Sequence, residues 1–201
     1  MSSGALGTVF FVEGMTRNAA SRAPSCNMFY TIGHSTRTYE ELVAALRAFE
    51  VTTLVDIRRF TRSRTNPQFD ENSLRDKLPT DGIAYLSMPE LGGRRSRSKD
   101  HPDRNAGWQV SAFHGYADYA ETAEFQAAFA TLLDHAARGT CAIMCSELLW
   151  WRCHRRIVAD YALSRGLEVS HIFDARKADP ASLTPFAKVD RRRHTLRYPP
   201  A

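Results

Sequence analysis

The chain has 201 residues, of which 43% are hydrophobic and 24% charged, a composition typical of one globular domain with short terminal segments. No apolar run approaches the roughly 18 residues that a membrane-spanning helix needs, and the first residues lack the basic start and long apolar centre of a signal peptide. The expected location is therefore the cytoplasm. A net charge of +5 favours anionic partners, such as nucleotides, nucleic acid or other anions.

Strands alternate with helices along most of the chain. Residues 1–27 carry no sustained hydrophobic period and are predicted to be a poorly ordered extension, which leaves Met28 as an alternative start to Met1. Buried strands are then predicted, in order, at 29–33, 51–57, 83–87, 140–145 and 167–173. Helices are predicted after a capping box of Thr38 and Glu41, after Asp70, over 125–136 and from about 153 to 165.

This alternation predicts an α/β fold, a single domain over residues 28–175 with a mostly parallel sheet flanked by helices. From about Arg176 the chain becomes basic and contains proline, which favours a basic C-terminal tail over 176–201. Between Gly92 and Gly107 the chain is polar and almost free of apolar residues. Such long loops are usually functional or disordered.

Polar side chains follow four of the predicted strands. They are His34 and Ser35 after the first strand, Arg58 and Arg59 after the second, Glu90 and Arg94 after the third, and Cys145 and Glu147 at the end of the fourth. Because parallel strands end at one edge of a sheet, we expect these side chains to line a common pocket. In open α/β sheets, ligands bind at that edge.

The segment from 145 to 156, CSELLWWRCHRR, holds the most reactive side chains of the chain. One hypothesis is a nucleophilic thiolate at Cys145, with its pKa lowered by a helix N-terminus and by the arginines that follow it. Glu147 or His154 would then act as the acid or base. The alternative is that Cys145 is a buried strand residue that packs as a small hydrophobe, which is the expectation for Cys141.

Arginines are abundant around the expected pocket, and their planar guanidinium groups suit phosphate or carboxylate. The candidates for anion binding are Arg58, Arg59, Arg94, Arg152 and Arg155. The alternative is that the loop arginines are solvated charges paired with nearby aspartates. Aromatic side chains, among them Tyr116 as a pocket candidate, could stack on a base, although neighbouring tryptophans more often divide between the core and a pocket cover.

Cys153 and His154 support a further hypothesis, because with Cys145 they offer soft and borderline ligands that suit zinc or iron. His34 is a further ligand candidate. The chain has no CxxC pair, and adjacent residues of a helix point about 100° apart, which disfavours joint coordination of one ion. The competing interpretation is that His154 only packs and forms hydrogen bonds. A disulfide between Cys145 and Cys153 would not persist in a reducing cytoplasm.

Five blocks of the sequence resemble the signature blocks of the domain of unknown function 488. They are TIGHS at 31–35, DIRRF at 56–60 with SRTNPQF at 63–69, PELGGRR at 89–95, GYADY at 115–119 and MCSELLWWRCHRR at 144–156. The similarity runs in order from about Phe29 to Phe173. It departs at Thr61, where the family tends to have proline, and at Ser146, where it tends to have alanine. The resemblance implies an α/β domain and carries over no established reaction.

Three hypotheses of function follow from these observations. The leading one is an enzyme with a cysteine-containing pocket that acts on an anionic substrate, a nucleotide or nucleic acid. The second is a nucleic-acid-binding module without catalysis, in which arginines contact phosphates and aromatic rings stack on bases. The third is a zinc- or iron-binding protein that uses Cys145, Cys153 and a histidine.

Overall fold

The computed structural model describes Met1 and residues 28–101, 103–192 and 195–200. The extension predicted over residues 1–27 therefore lies, apart from Met1, outside the described residues. The strands are β1 Met28–Gly33, β2 Thr53–Asp56, β3 Ala84–Ser87, β4 Cys141–Cys145, β5 Glu168–Asp174, β6 Lys177–Pro180, β7 Lys188–Asp190 and β8 Thr195–Arg197. The α-helices are α1 Tyr39–Ala48, α2 Glu71–Lys77, α3 Ser111–Ala120, α4 Ala123–Ala136 and α5 Arg155–Ser164.

Six of these strands form one sheet in the order β3-β2-β4-β1-β5-β6. The first five strands in this order pair in parallel, and β6 at the edge pairs antiparallel with β5. The prediction of an α/β domain with a mostly parallel sheet is therefore confirmed. Within the described ranges, no helix is both long enough and apolar enough to cross a lipid bilayer.

Side chains alternate across β4 and thereby join two different layers of the core. Ala142 and Met144 pack in the layer that holds α1 and α2, whereas Cys141 and Ile143 pack in the layer that holds α3, α4 and α5. Cys145 continues the second set, because successive strand residues point to opposite faces. Its thiol therefore lies on the face that α5 covers.

The start of α1 follows the sequence prediction, whereas the start of α2 does so only in part. The Thr38 hydroxyl accepts a hydrogen bond from the Glu41 backbone at 3.2 Å, and the Glu41 carboxylate accepts one from the Thr38 backbone at 2.9 Å, which completes a capping box. Asp70 stands at the N-cap of α2, but its side chain makes no capping bond there. Its carboxylate accepts a hydrogen bond from the Ser63 backbone N–H at 2.7 Å instead, which closes the loop between β2 and α2.

Described segments after Arg176 are part of the fold, which differs from the expectation of a tail over 176–201. β6 extends the sheet, and the ring of Tyr198 is buried beside α5. The Tyr198 hydroxyl donates to the Asp160 carboxylate of α5 at 2.8 Å, and the Tyr198 N–H donates to Asn105 Oδ1 at 2.9 Å. Leu196, two residues earlier on the same face of β8, is also buried. Leu196 and Tyr198 thus alternate with more exposed residues within a basic stretch of the sequence. Together they cover core surface that would otherwise be exposed.

Candidate functional site

A cleft of about 690 Å³ opens at the carboxyl ends of β1, β2 and β4. It brings together eight of the residues predicted to form a site: His34, Ser35, Arg58, Arg59, Arg94, Cys145, Glu147 and His154. The lining is completed by Thr36, Phe60, Arg62, Ser63, Asn66, Gly93, Ser146 and Leu148. Five predicted residues lie outside the lining: Glu90, Tyr116, Arg152, Cys153 and Arg155.

Backbone bonds beyond the strand ends hold the walls of the cleft together. The His34 N–H donates to the Cys145 carbonyl at 2.9 Å, and the Ser35 N–H donates to the Ser146 carbonyl at 3.0 Å. A Cβ atom on Gly33 would collide with the backbone of Glu147, so this approach requires glycine. Ser35 itself has a φ of 50°, a left-handed conformation that is uncommon for a residue with a side chain.

Arg58 lies at the floor of the cleft, where Asp56 neutralises it. The Nε and Nη2 of Arg58 donate to the fully buried Asp56 carboxylate at 2.8 and 2.5 Å, and Nη2 also donates to the Phe69 carbonyl at 2.6 Å. The Tyr85 hydroxyl donates to the same carboxylate at 2.9 Å. Burial by itself would lower the pKa of Arg58, but hydrogen bonding to Asp56 and its charge raise that pKa. Arg58 therefore orients its neighbours and brings no unpaired charge to the cleft.

His34 is a neutral imidazole of fixed tautomer. The Nη1 of Arg58 lies 3.2 Å from His34 Nε2, and His34 Nδ1 lies 2.9 Å from the Ser35 carbonyl oxygen. Because a guanidinium only donates and a carbonyl only accepts, Nε2 is the acceptor and Nδ1 carries the hydrogen. Burial, followed by the charge of Arg58, lowers the pKa of His34 to about 4. This side chain can therefore accept or relay a hydrogen bond, but it does not bind an anion by charge.

Cys145, Cys153 and His154 form a cluster in which three ligand atoms lie within 4.8 Å of one another. Cys153 has an extended backbone (φ −124°, ψ 147°), because it ends the 3-10 turn Trp150–Arg152 before α5 begins. The Sγ of Cys153 lies 3.6 Å from the Nδ1 of His154. The sequence argument against joint coordination assumed that Cys153 and His154 are adjacent residues of one helix. Because Cys153 is extended, that argument does not apply.

The ring of His154 is held so that its Nδ1 faces the two sulfur atoms. His154 Nε2 lies 3.3 Å from the Ile57 carbonyl oxygen and carries the hydrogen, since a carbonyl can only accept. Tyr116 packs behind the imidazole with ring centroids 4.9 Å apart. A Cβ atom on Gly93 would lie 2.8 Å from Nδ1, so the glycine gives the ring its space.

The two thiols of the cluster differ in acidity. A hydrogen bond from Cys145 to Cys153, together with burial, raises the pKa of Cys145 to about 12. Burial would also raise the pKa of Cys153, but the bond from Cys145 and the charge of Arg155 outweigh it and lower that pKa to about 6. The Nε of Arg155 donates to Cys153 Sγ at 3.3 Å. Arg155, one of the arginines predicted to lower the pKa of Cys145, thus acts on Cys153, which does not line the cleft.

Besides Cys153, four predicted residues lie outside the lining and have other surroundings. Arg155 is buried, and its Nη2 donates to the Glu147 carbonyl and, at 3.2 Å, to that of Leu148, so it braces the loop after β4. Tyr116 is buried and donates to the Leu91 carbonyl at 2.6 Å. Arg152 and Glu90 are exposed away from the cleft. Neither Trp150, which stacks on His171 at 4.1 Å, nor Trp151 lines the cleft.

The outer part of the cleft carries charge without a carboxylate partner among the described residues. We call Arg59, Phe60, Arg62 and Arg94 the rim. The guanidinium carbons of Arg59 and Arg94 each lie 5.7 Å from the ring centre of Phe60, and Arg59 Nη1 donates to the Arg94 carbonyl at 2.7 Å. Phe60 was not among the predicted site residues. An aromatic residue between arginines in a predicted loop was the sequence signal that could have identified it.

The fold and the cleft together define an α/β domain with a polar, thiol-containing cleft at the carboxyl edge of its sheet. The family model of the domain of unknown function DUF488 matches residues 38–162, more than half of the chain. The chain belongs to this family, which confirms the resemblance of its sequence blocks. Searches of curated proteins and of solved structures returned no significant match.

Proposed function

We propose that the protein is a zinc-dependent enzyme that acts on an anionic substrate in the cleft, with Cys145, Cys153 and His154 as the metal ligands. The observation that carries this proposal is the convergence of their three ligand atoms within 4.8 Å, with two of the three residues, Cys145 and His154, in the lining of the cleft. Two sulfurs and an imidazole nitrogen are a ligand set that zinc favours.

One distance within the cluster matches the geometry of a tetrahedral ion. With zinc–sulfur and zinc–nitrogen bonds of about 2.3 and 2.1 Å, a tetrahedral site separates sulfur from nitrogen by about 3.6 Å. The Cys153 Sγ to His154 Nδ1 distance is 3.6 Å. His154 also donates its other ring N–H to the Ile57 carbonyl, which is how most metal-binding histidines are oriented. Arg155 adds positive charge beside Cys153 and favours its thiolate form.

Three protein ligands leave one position of a tetrahedral ion open, which is typical of catalytic zinc. Cys145 and His154 line the cleft, so an ion held by these ligands would be accessible from it. Such an ion would supply a Lewis acid that polarises an oxygen of the substrate or of water. Glu147, the one acidic side chain in the lining, is positioned to exchange a proton, and the rim arginines hold the negative charge of the substrate.

The acidity of the thiols argues for a ligand role over a nucleophilic one. Cys145 faces the cleft, but its raised pKa keeps it protonated in the absence of a metal. Cys153 has the lowered pKa but does not line the cleft. A nucleophile needs both ionisation and access to the substrate, and neither thiol combines the two. A metal ion would remove this conflict, because it would bind both sulfurs as thiolates.

The test is the metal content of the full chain purified without chelator and then supplied with zinc. We expect about one zinc ion per chain, lost on Cys145→Ala, Cys153→Ala and His154→Gln. Cys141→Ala is the matched control, because Cys141 is a buried thiol on the same face of β4 outside the cluster. Wild-type protein that binds no zinc under these conditions, or a Cys153→Ala variant that keeps stoichiometric metal, would contradict the proposal.

A further inference from the structure

We infer that the anionic substrate carries a planar base, so that the cleft takes a nucleotide or a nucleotide unit of a single-stranded nucleic acid whose base stacks on Phe60. This inference rests on the proposed function in one respect, that the cleft is the substrate site. It adds the class of substrate.

The first observation is the exposure of Phe60. The side chain is 64% exposed although it stands in the lining of a polar cleft. Exposed aromatic surface is unfavourable in water, and an aromatic face beside positive charge is the arrangement that binds bases by stacking. Leu148, also exposed, lines the same cleft and extends its apolar surface.

The second observation is that the ring is held in place from the protein side. The guanidinium groups of Arg59 and Arg94 both lie near the Phe60 ring, and the bond from Arg59 to the Arg94 carbonyl links the two loops that carry them. Arg94 has a φ of 59°, a conformation rare for a residue with a side chain, and such outliers cluster at functional sites. The ring and its two arginines thus form a pre-arranged surface, which lowers the entropy cost of binding.

The third observation is the balance of charge. Arg59, Arg62 and Arg94 line the cleft without an ion pair to any described residue, whereas Arg58 is neutralised by Asp56. Against these three cations stands one carboxylate in the lining, that of Glu147. A surplus of guanidinium groups suits the oxygens of a phosphate.

The fourth observation concerns size and hydrogen bonding. A volume of about 690 Å³ is far larger than an inorganic anion requires and lies in the range of sites for organic ligands. Asn66 lines this volume, and its side-chain amide makes no hydrogen bond to a described residue. An amide offers both a donor and an acceptor, which is the pattern that reads the edge of a base.

The experiment compares ligands with and without a base, by calorimetric titration of the zinc-loaded full chain. We expect at least one of the four nucleoside monophosphates to bind about tenfold tighter than ribose 5-phosphate, because base stacking adds to phosphate binding. Phe60→Ala should remove this difference, Phe60→Tyr should keep it, and Arg62→Ala should weaken both ligands alike. A second titration, with a labelled single-stranded DNA decamer, distinguishes a nucleic acid from a free nucleotide as the natural ligand. Tighter and steeply salt-dependent binding indicates nucleic acid, and binding no tighter than the monophosphates indicates a free nucleotide.

Equal affinity for the monophosphates and ribose 5-phosphate overturns the inference. So does a difference that survives Phe60→Ala, or the absence of monophosphate binding at millimolar concentration. The outcome is separable from that of the proposed function, because zinc content is measured on the same samples. Base-dependent binding by a protein that holds no zinc would sink the enzyme proposal alone, whereas stoichiometric zinc without base dependence would sink this inference alone.

Discussion

The floor and the rim of the cleft use the same residue type for different purposes. At the floor, Arg58 is buried, and so is Arg155 behind the lining; their donors are bonded to groups of the protein itself: the Asp56 carboxylate, backbone carbonyls and the Cys153 sulfur. At the rim, arginines with the same charge face the cleft without a carboxylate partner in the described part of the chain. The difference teaches that position at a sheet edge does not by itself make an arginine a ligand-binding residue.

Burial and internal partners decide which role an arginine has. A buried guanidinium must be paired, so its partner contributes to folding, whereas an exposed guanidinium can be removed with little effect on stability. Substitutions at the floor should therefore change the free energy of unfolding. Substitutions at the rim should change only binding.

The largest effect is expected at Asp56, the partner of Arg58. Asp56→Ala leaves a guanidinium buried without its carboxylate and should lower the free energy of unfolding by about 3–5 kcal/mol. Urea unfolding followed by circular dichroism measures this loss. Arg62→Ala at the rim is the matched control and should stay within about 0.5 kcal/mol of wild type. A loss of less than about 1 kcal/mol for Asp56→Ala would remove the distinction between floor and rim.

A second effect concerns His171, which is buried below the ring of Trp150 with its Nδ1 2.8 Å from the Thr31 hydroxyl. Burial, followed by the charges of Arg155 and Arg156, lowers its pKa from 6.5 to about 3. In the unfolded chain the imidazole takes up a proton near pH 6.5, so acid favours unfolding and stability falls as the pH drops from 6.5 towards 3.

His171→Gln keeps a hydrogen-bonding group for Thr31 and removes this titration. Between pH 7 and pH 5, the variant should lose about 2 kcal/mol less stability than the wild type. Urea unfolding at both pH values measures the difference, and Arg62→Ala should keep the wild-type dependence. Identical pH dependence in His171→Gln and wild type would mean that this imidazole is not held neutral in the folded protein.

The smallest effect is expected at Gly93, where floor and rim meet. In Gly93→Ala the new Cβ lies 2.8 Å from His154 Nδ1 and should push the imidazole away from the sulfurs. We expect about a tenfold loss of zinc affinity, measured by competition with a chromogenic chelator. Thr36→Ala, on another wall of the cleft, should bind zinc as wild type does. Unchanged affinity in a folded Gly93→Ala protein would speak against His154 Nδ1 as a ligand.

Local patterns were sufficient to predict the five parallel strands and half of the residues that line the cleft. The capping box of Thr38 and Glu41 and the apolar run before Cys145 are signals within a few residues, and the rule for parallel strands converts them into a common edge. The pairing of Asp56 with Arg58 was also accessible, because the two residues are only two apart in the chain and loop arginines were expected to pair with nearby aspartates.

Other features depend on contacts between distant segments. Arg155 turns inward because the carbonyls of Glu147 and Leu148 meet it there, and neither carbonyl has a sequence signature. The extended backbone of Cys153 lies between a 3-10 turn and a helix without glycine or proline to mark it. The burial of Tyr198 depends on Asp160, which lies 38 residues away in the chain.

The order of the strands determines where the chain can be cut without loss of the site. A fragment trimmed to the family match, residues 38–162, would contain β2, β3 and β4 but neither β1 nor β5. In the sheet, β1 lies between β4 and β5, and the residues that follow it form one wall of the cleft. Such a fragment would expose the edge of β4 and lack that wall. The shortest autonomous unit should therefore begin at residue 28 and extend to residue 198.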